Sequence, residues 1–71
     1  MSRKLNVAVV GATGVVGTEA VAILEQRGFP VGDLKLYASG RSAGAELPFR
    51  GRPVAVENLA LADFAGIDVV L

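Results

Sequence analysis

The run Leu5-Asn6-Val7-Ala8-Val9-Val10 is almost wholly apolar and does not alternate. A strand with one wet face would alternate, so this one is expected to be covered on both faces, as a central parallel strand is. After a glycine-rich stretch the period changes. Val16, Ala20, Ile23 and Leu24 fall at i, i+4, i+7 and i+8, one apolar stripe of a helix, with Glu19, Glu25 and Gln26 off it. Thr13 or Gly14 is placed to cap the start of this helix. Gly28 is placed just past its end, and Pro30 stops it. Val31 to Asp33 reads as a connector and Leu34 to Ala38 as a second, apolar strand. Ser39 to Gly44 is a loop by composition. Glu46 to Phe49 and Val54 to Val56 read as a small hairpin or edge excursion around Arg50-Gly51-Arg52-Pro53, kept off central positions by Pro48 and Pro53. Asn58 to Phe64 reads as a short helical or irregular stretch that buries Leu59, Leu61 and Phe64 and ends at Gly66. Ile67 to Leu71 begins another buried strand, and Met1 to Lys4 is expected to fray.

Strand, helix and strand in that order predict an α/β fold with a parallel sheet. Composition narrows the picture. The chain has 71 residues, of which 52% are hydrophobic, and a mean hydropathy of +0.52. A domain of this size buries only about 60% of its unfolded surface. So apolar a chain suits part of a larger sheet better than a free-standing domain. The sequence also stops inside an apolar run. The expected architecture is therefore the N-terminal part of a Rossmann-like, doubly wound parallel sheet, cut after the start of a later strand. Seven basic and seven acidic residues balance, which asks for neither nucleic acid nor an acidic membrane surface. The apolar run after Arg3 and Lys4 is too short for a signal peptide or a membrane span, so a cytoplasmic protein is expected. There is no cysteine and no histidine, hence no disulfide, no zinc site and no Cys- or His-based catalysis within this chain.

Between the first strand and the helix lies Gly11-Ala12-Thr13-Gly14-Val15-Val16-Gly17. Its spacing, G-x-x-G-x-x-G, is a variant of the G-x-G-x-x-G dinucleotide fingerprint. Each glycine has a distinct task. Gly11 lets the chain turn sharply off the strand. Gly14 leaves room for a pyrophosphate against the backbone, and Gly17 lets helix and strand pack closely. The helix start, at Val15 and Val16, offers amides and a partial positive charge to the phosphates. The bland alternative is a tight strand-to-helix turn with no ligand.

The second strand ends Tyr37-Ala38-Ser39, without the acidic residue that usually accepts hydrogen bonds from the adenosine ribose. Arg41 follows instead, between the hydroxyls of Ser39 and Ser42. A guanidinium can fork onto a phosphate, and both serines can donate to it. From Lys35 to Arg52 four basic residues face Glu46 alone. These residues favour NADP over NAD. Arg50 and Arg52 read as solvated hairpin residues, and Tyr37 and Phe49 as core.

The first loop taken together with Ala38-Ser39-Gly40-Arg41-Ser42-Ala43-Gly44 resembles the N-terminal NADP-binding domain of the aspartate-semialdehyde dehydrogenase family. Arg27-Gly28-Phe29-Pro30 and Phe49-Arg50-Gly51 also look like that family. The resemblance implies reductive dephosphorylation of L-aspartyl 4-phosphate to L-aspartate 4-semialdehyde, on the way to lysine (through diaminopimelate), threonine and methionine. It implies a catalytic cysteine and histidine, neither of which this chain contains. The 71 residues are thus expected to supply cofactor binding only and to be inactive alone, with catalysis and homo-oligomerisation in a further domain. The resemblance assigns Thr13, Gly14, Val15 and Val16 to the pyrophosphate and Arg41 and Ser42 to the 2′-phosphate. Two other readings stand beside it: N-acetyl-gamma-glutamyl-phosphate reductase, whose first loop usually reads GASGYxG, so that Val15-Val16 and the RSAG loop argue against it, and a non-catalytic NADP-binding module, which the same two loops would serve.

Overall fold

A computed structural model describes residues 4–71. Of the N-terminal stretch expected to fray, Met1 to Arg3 lie outside the described residues. The elements are β1 (Leu5–Val10), α1 (Val15–Gln26), β2 (Val31–Ala38), β3 (Glu46–Phe49), β4 (Arg52–Asn58), a 3-10 turn (Leu59–Leu61) and β5 (Val69–Val70). They form one five-stranded sheet in the order β3-β4-β2-β1-β5. β1 runs parallel to both β2 and β5, β2 runs parallel to β4, and only the β3–β4 hairpin is antiparallel. Among the parallel strands, counted in chain order, the arrangement is third, second, first, fourth. That is the first part of the doubly wound nucleotide-binding sheet, and its order reverses between β1 and β5. The expected α/β architecture is therefore present. One detail differs, in that the connections leaving β2 and β4 carry a hairpin and a 3-10 turn where a doubly wound fold usually places helices.

Val7, Ala8 and Val9 are all buried, so β1 is covered on both faces as its unbroken apolar run predicts. Val7, Val9, Leu36 and Val56 form the most enclosed part of the core. Each of these side chains is worth about 1.5–3 kcal/mol in burial. The helix meets this core along Gly17, Val21 and Leu24, with Ala20 partly buried beside them. That corrects the expected stripe. Val16 is 80% exposed and Ile23 49% exposed. The cause is Gly17. A Cβ there would lie 2.1 Å from the Gly11 carbonyl oxygen and 2.7 Å from the Ala12 Cα. The helix rests on the backbone of the preceding loop, and that contact sets its rotation.

The helix ends as its sequence predicts. Gly28 adopts φ +60°, its amide donates to the Glu25 carbonyl, and the Phe29 amide donates to the Leu24 carbonyl. This is the paired bonding of a Schellman cap. β2 begins earlier than expected, at Val31, because Asn6 ties it down. The Asn6 side-chain oxygen accepts from the Asp33 amide at 3.0 Å, its side-chain nitrogen donates to the Gly66 carbonyl at 3.0 Å, and its own amide donates to the Asp68 carboxylate at 2.8 Å. The β1–β2 register shifts at this residue.

The hairpin turns through Arg50 (φ 53°) and Gly51 (φ 78°), the all-positive pattern of a type I′ turn. A left-handed arginine costs about 1 kcal/mol or more. Its contacts offset that. The Arg50 amide donates to the Glu25 carboxylate at 3.2 Å, its guanidinium donates to the Phe29 carbonyl, and its guanidinium carbon lies 4.9 Å from the Phe49 ring centroid. Arg50 is exposed, as its place in the hairpin suggests, and it also clamps the hairpin to the helix end. Leu59, Leu61 and Phe64 depart from expectation as well, because a three-residue 3-10 turn presents no periodic apolar face. All three are exposed, and Phe64 meets the Tyr37 ring edge-on with centroids 5.4 Å apart. Tyr37 and Phe49 are buried, as expected.

Gly17→Ala is expected to lower stability by about 2–3 kcal/mol, since the added methyl meets backbone rather than a movable side chain. The urea midpoint measures this. A wild-type midpoint would show that the helix can ride away from the loop, against the packing described.

Candidate functional site

The two loops singled out in the sequence leave the carboxyl ends of neighbouring parallel strands, β1 and β2. In open α/β sheets, ligands sit at that edge, beside the point where strand order reverses. The glycine loop is fixed there from below. The Tyr37 carbonyl, near the end of β2, accepts the Gly11 amide at 2.8 Å and the Ala12 amide at 3.0 Å. Gly11 turns with φ +72°, and Ala12 is fully buried. The Gly14 amide then donates back to the Gly11 carbonyl at 3.0 Å.

Gly14 itself is the helix N-cap and has no side chain to bond the first turn. Of the two expected caps it is the one used. The first helical bond runs from the Thr18 amide to the Gly14 carbonyl at 2.9 Å. The amides of Val15, Val16 and Gly17 precede it and have no acceptor within the helix. No acidic side chain occupies the first turn, so the partial positive charge of the helix start is not neutralised locally. Beside it lies a hollow of about 410 Å³ lined by Val10, Gly11, Gly14, Val16, Ala20 and Leu71, among others.

The three glycines are not equivalent. Gly11 is required by its positive φ and Gly17 by the backbone it rests on. Gly14 has φ −77° and ψ 172°, which any residue adopts, and a Cβ there would meet only the Gly11 oxygen at an ordinary 3.4 Å. The fold alone does not call for glycine at this position.

The second loop is held by its own backbone. The Ser42 amide donates to the Ser39 carbonyl at 2.9 Å, the Ala45 amide to the Ser42 carbonyl at 3.1 Å, and the Gly44 amide to the Val56 carbonyl at 2.9 Å. Arg41 is exposed on it. Among the described residues, Arg41 has no hydrogen-bond or ion-pair partner. Ser39 is exposed beside it and Ser42 is half-buried. The loops meet at one side-chain contact: the Thr13 hydroxyl donates to the Ser42 hydroxyl at 3.1 Å, across 29 residues of sequence. That contact, and the double use of the Tyr37 carbonyl, carry no local sequence signal. A further polar group at this edge, also missed from sequence, is Asn58 at the end of β4. Its side-chain oxygen caps Ala60, and its nitrogen lies 3.3 Å from where a Cβ on Gly40 would be. Among the described residues there is no acidic or histidine-containing cluster able to hold a metal ion, and no helix is long and apolar enough to cross a membrane.

A parallel sheet with this strand order, a glycine turn under a helix start and an exposed arginine at the next strand end defines a dinucleotide-binding α/β unit. Residues 6–71 match the family model described as semialdehyde dehydrogenase, NAD binding domain, and the chain belongs to that family. The cofactor class that goes with it is a nicotinamide dinucleotide. The chain is 49% identical over 70 residues to a USG-1 protein homolog of Azotobacter vinelandii, covering 99% of this chain and 21% of that protein. It is 48% identical over 71 residues to an aspartate-semialdehyde dehydrogenase of Legionella pneumophila, covering 100% of this chain and 20% of that one. The crystal structure of aspartate semialdehyde dehydrogenase II of Vibrio cholerae, complexed with ASA, superposes with a TM-score of 0.93 at 40% identity, over 96% of this chain and 22% of that one. The chain thus spans about a fifth of the length of the relatives it matches.

Gly14→Ser is expected to keep the wild-type stability within about 0.5 kcal/mol, because serine caps a helix as well as glycine does. Thermal unfolding measures this. A loss as large as that expected for Gly17→Ala would mean that Gly14 is a packing glycine too.

Proposed function

We propose that these residues are the N-terminal portion of the NADP-binding domain of an aspartate-semialdehyde dehydrogenase, the enzyme that reductively dephosphorylates L-aspartyl 4-phosphate to L-aspartate 4-semialdehyde. NADPH, when bound, supplies the hydride. This chain's part is to bind and orient it. The first-turn amides of Val15 and Val16 receive the pyrophosphate, and Gly14 lets it approach. Gly11 and Gly17 belong to the same cofactor-binding loop and shape its turn. Thr13 lies beside the same phosphates. Ser39, Arg41 and Ser42 take the 2′-phosphate. Catalysis, substrate binding and homo-oligomer assembly belong to the rest of a longer, cytoplasmic protein, and the 71 residues alone have no turnover.

The observation that carries the preference for NADP is Arg41, exposed and without a hydrogen-bond or ion-pair partner among the described residues, at the strand end where an NAD-binding unit would place a carboxylate. A guanidinium there attracts a phosphate monoester and has little to offer an unphosphorylated ribose. The similarity to a relative of another name, the USG-1 homolog, keeps a second reading: an NADP-binding protein without this turnover.

The test is titration of the full-length protein with NADPH and NADH, alongside phosphate-dependent oxidation of aspartate semialdehyde. Tighter NADPH binding with turnover supports the proposal, and NADPH binding without turnover supports the second reading. Arg41→Ala is expected to weaken NADPH by about 2 kcal/mol, the range of a charged hydrogen bond, and to leave NADH nearly unchanged. Equal weakening of both would show that Arg41 does not read the 2′-phosphate.

A further inference from the structure

Asn58 ends β4 with half of its side-chain amide engaged and half of it free. It pairs in register with Ala38, the last residue of β2, so it stands about 5 Å from the point where the second loop leaves the sheet. Its side-chain oxygen accepts from the Ala60 amide at 3.0 Å. A backbone N–H can only donate, so this bond also fixes which end of the carboxamide is oxygen and which is nitrogen. One lone pair of Oδ1 and both protons of Nδ2 are left over. Among the described residues, Nδ2 has no hydrogen-bond partner.

Gly40 keeps that amide uncovered. Its backbone does not take a positive φ, so the turn itself does not call for glycine. A Cβ there would lie 3.3 Å from the Asn58 Nδ2 and 3.8 Å from its Cγ. The space a side chain would fill is left open beside the amide.

The proposed cofactor placement brings a base to this point. The pyrophosphate lies at the helix start and the 2′-phosphate at Ser39, Arg41 and Ser42. The base is carried by the ribose carbon next to the one that bears the 2′-phosphate. With β4, β2 and β1 side by side in that order, a base that continues away from the pyrophosphate arrives at the end of β4. Adenine presents there an acceptor, N7, beside a donor, its 6-amino group. A carboxamide with a free donor and a free lone pair is the complement of that edge.

We propose that Asn58 selects the base: Nδ2 donates to N7 while Oδ1 accepts from the 6-amino group, so that the site favours an adenine dinucleotide over one carrying another purine. This rests on the proposed cofactor placement and adds to it the part of the ligand that NADPH and NADH share.

The experiment is equilibrium titration of the full-length protein, wild type and Asn58→Ser, with NADPH, NADH and NADPH carrying hypoxanthine in place of adenine. Hypoxanthine keeps N7 but has a carbonyl oxygen where adenine has its amino group, which sets oxygen against Oδ1. Wild type is expected to bind the hypoxanthine form about tenfold more weakly than NADPH, the scale of discrimination by one bidentate pair. Asn58→Ser keeps an oxygen able to cap Ala60 and removes Nδ2. It is expected to bind NADPH and the hypoxanthine form within about twofold of each other, and to weaken NADPH and NADH by the same factor. A wild type that binds both bases equally overturns the proposal, as does an Asn58→Ser protein that keeps the base preference. Weakening of NADPH with NADH unchanged also overturns it, because Asn58 would then act on the phosphate loop. A wild type that binds NADPH and NADH equally yet prefers adenine supports the base contact and overturns the NADP preference alone. A wild type that binds none of the three overturns the dinucleotide site and the base contact together.

Discussion

The structure depends on how closely a helix can approach the end of a strand. At Gly17 the separation leaves no space for a methyl group, with the Gly11 carbonyl oxygen 2.1 Å from the position a Cβ would take. Everything nearby follows from that contact. It turns Val21 and Leu24 into the core and leaves Val15 and Val16 outward. It brings the first-turn amides over the carboxyl end of β1, where their dipoles add to the partial positive charge of the helix. A longer approach would still give a helix on a sheet, but would move its start away from the strand edge.

The second constraint is the Tyr37 carbonyl. By accepting both Gly11 and Ala12 it locks the first loop to the end of β2, the strand whose own loop carries Ser39, Arg41 and Ser42. The two loops are therefore placed relative to each other by backbone bonds, and the Thr13–Ser42 contact closes the gap between them. Placement by backbone suits the proposed site, which holds a long, flexible, polyanionic ligand at two separated points. Little backbone entropy remains to be lost there on binding.

Much of this was legible in the chain because the signals are short-range. The unbroken apolar run of β1, Gly28 past the helix and the glycine loop each describe their own neighbourhood, and each matches the structure. The helix face was misread because the residue that decides it is a glycine, which an apolar pattern passes over. The clamp contacts of Arg50 leave no mark in its own neighbourhood because its partners, Phe29 and Glu25, lie 21 and 25 residues away. Asn6 reaches residues as far as 62 positions off, and no periodicity marks it. Leu61 and Phe64 are apolar yet exposed, since apolarity without a repeating face does not make a core contact. Arg41 and Ser42 stand out in the sequence by chemistry and position, while the contact between Ser42 and Thr13 becomes visible only when the two strand ends stand side by side.

The central claim is one of placement: a dinucleotide lies across the ends of β1 and β2 with its pyrophosphate at the helix start and its 2′-phosphate at the second loop. A crystal structure of the full-length protein with NADPH measures it directly. The account predicts pyrophosphate oxygens within hydrogen-bond distance of the Val15 and Val16 amides, and a 2′-phosphate held by Arg41 and Ser42. NADPH bound with its phosphates away from these groups, or with Arg41 turned to solvent, would contradict it.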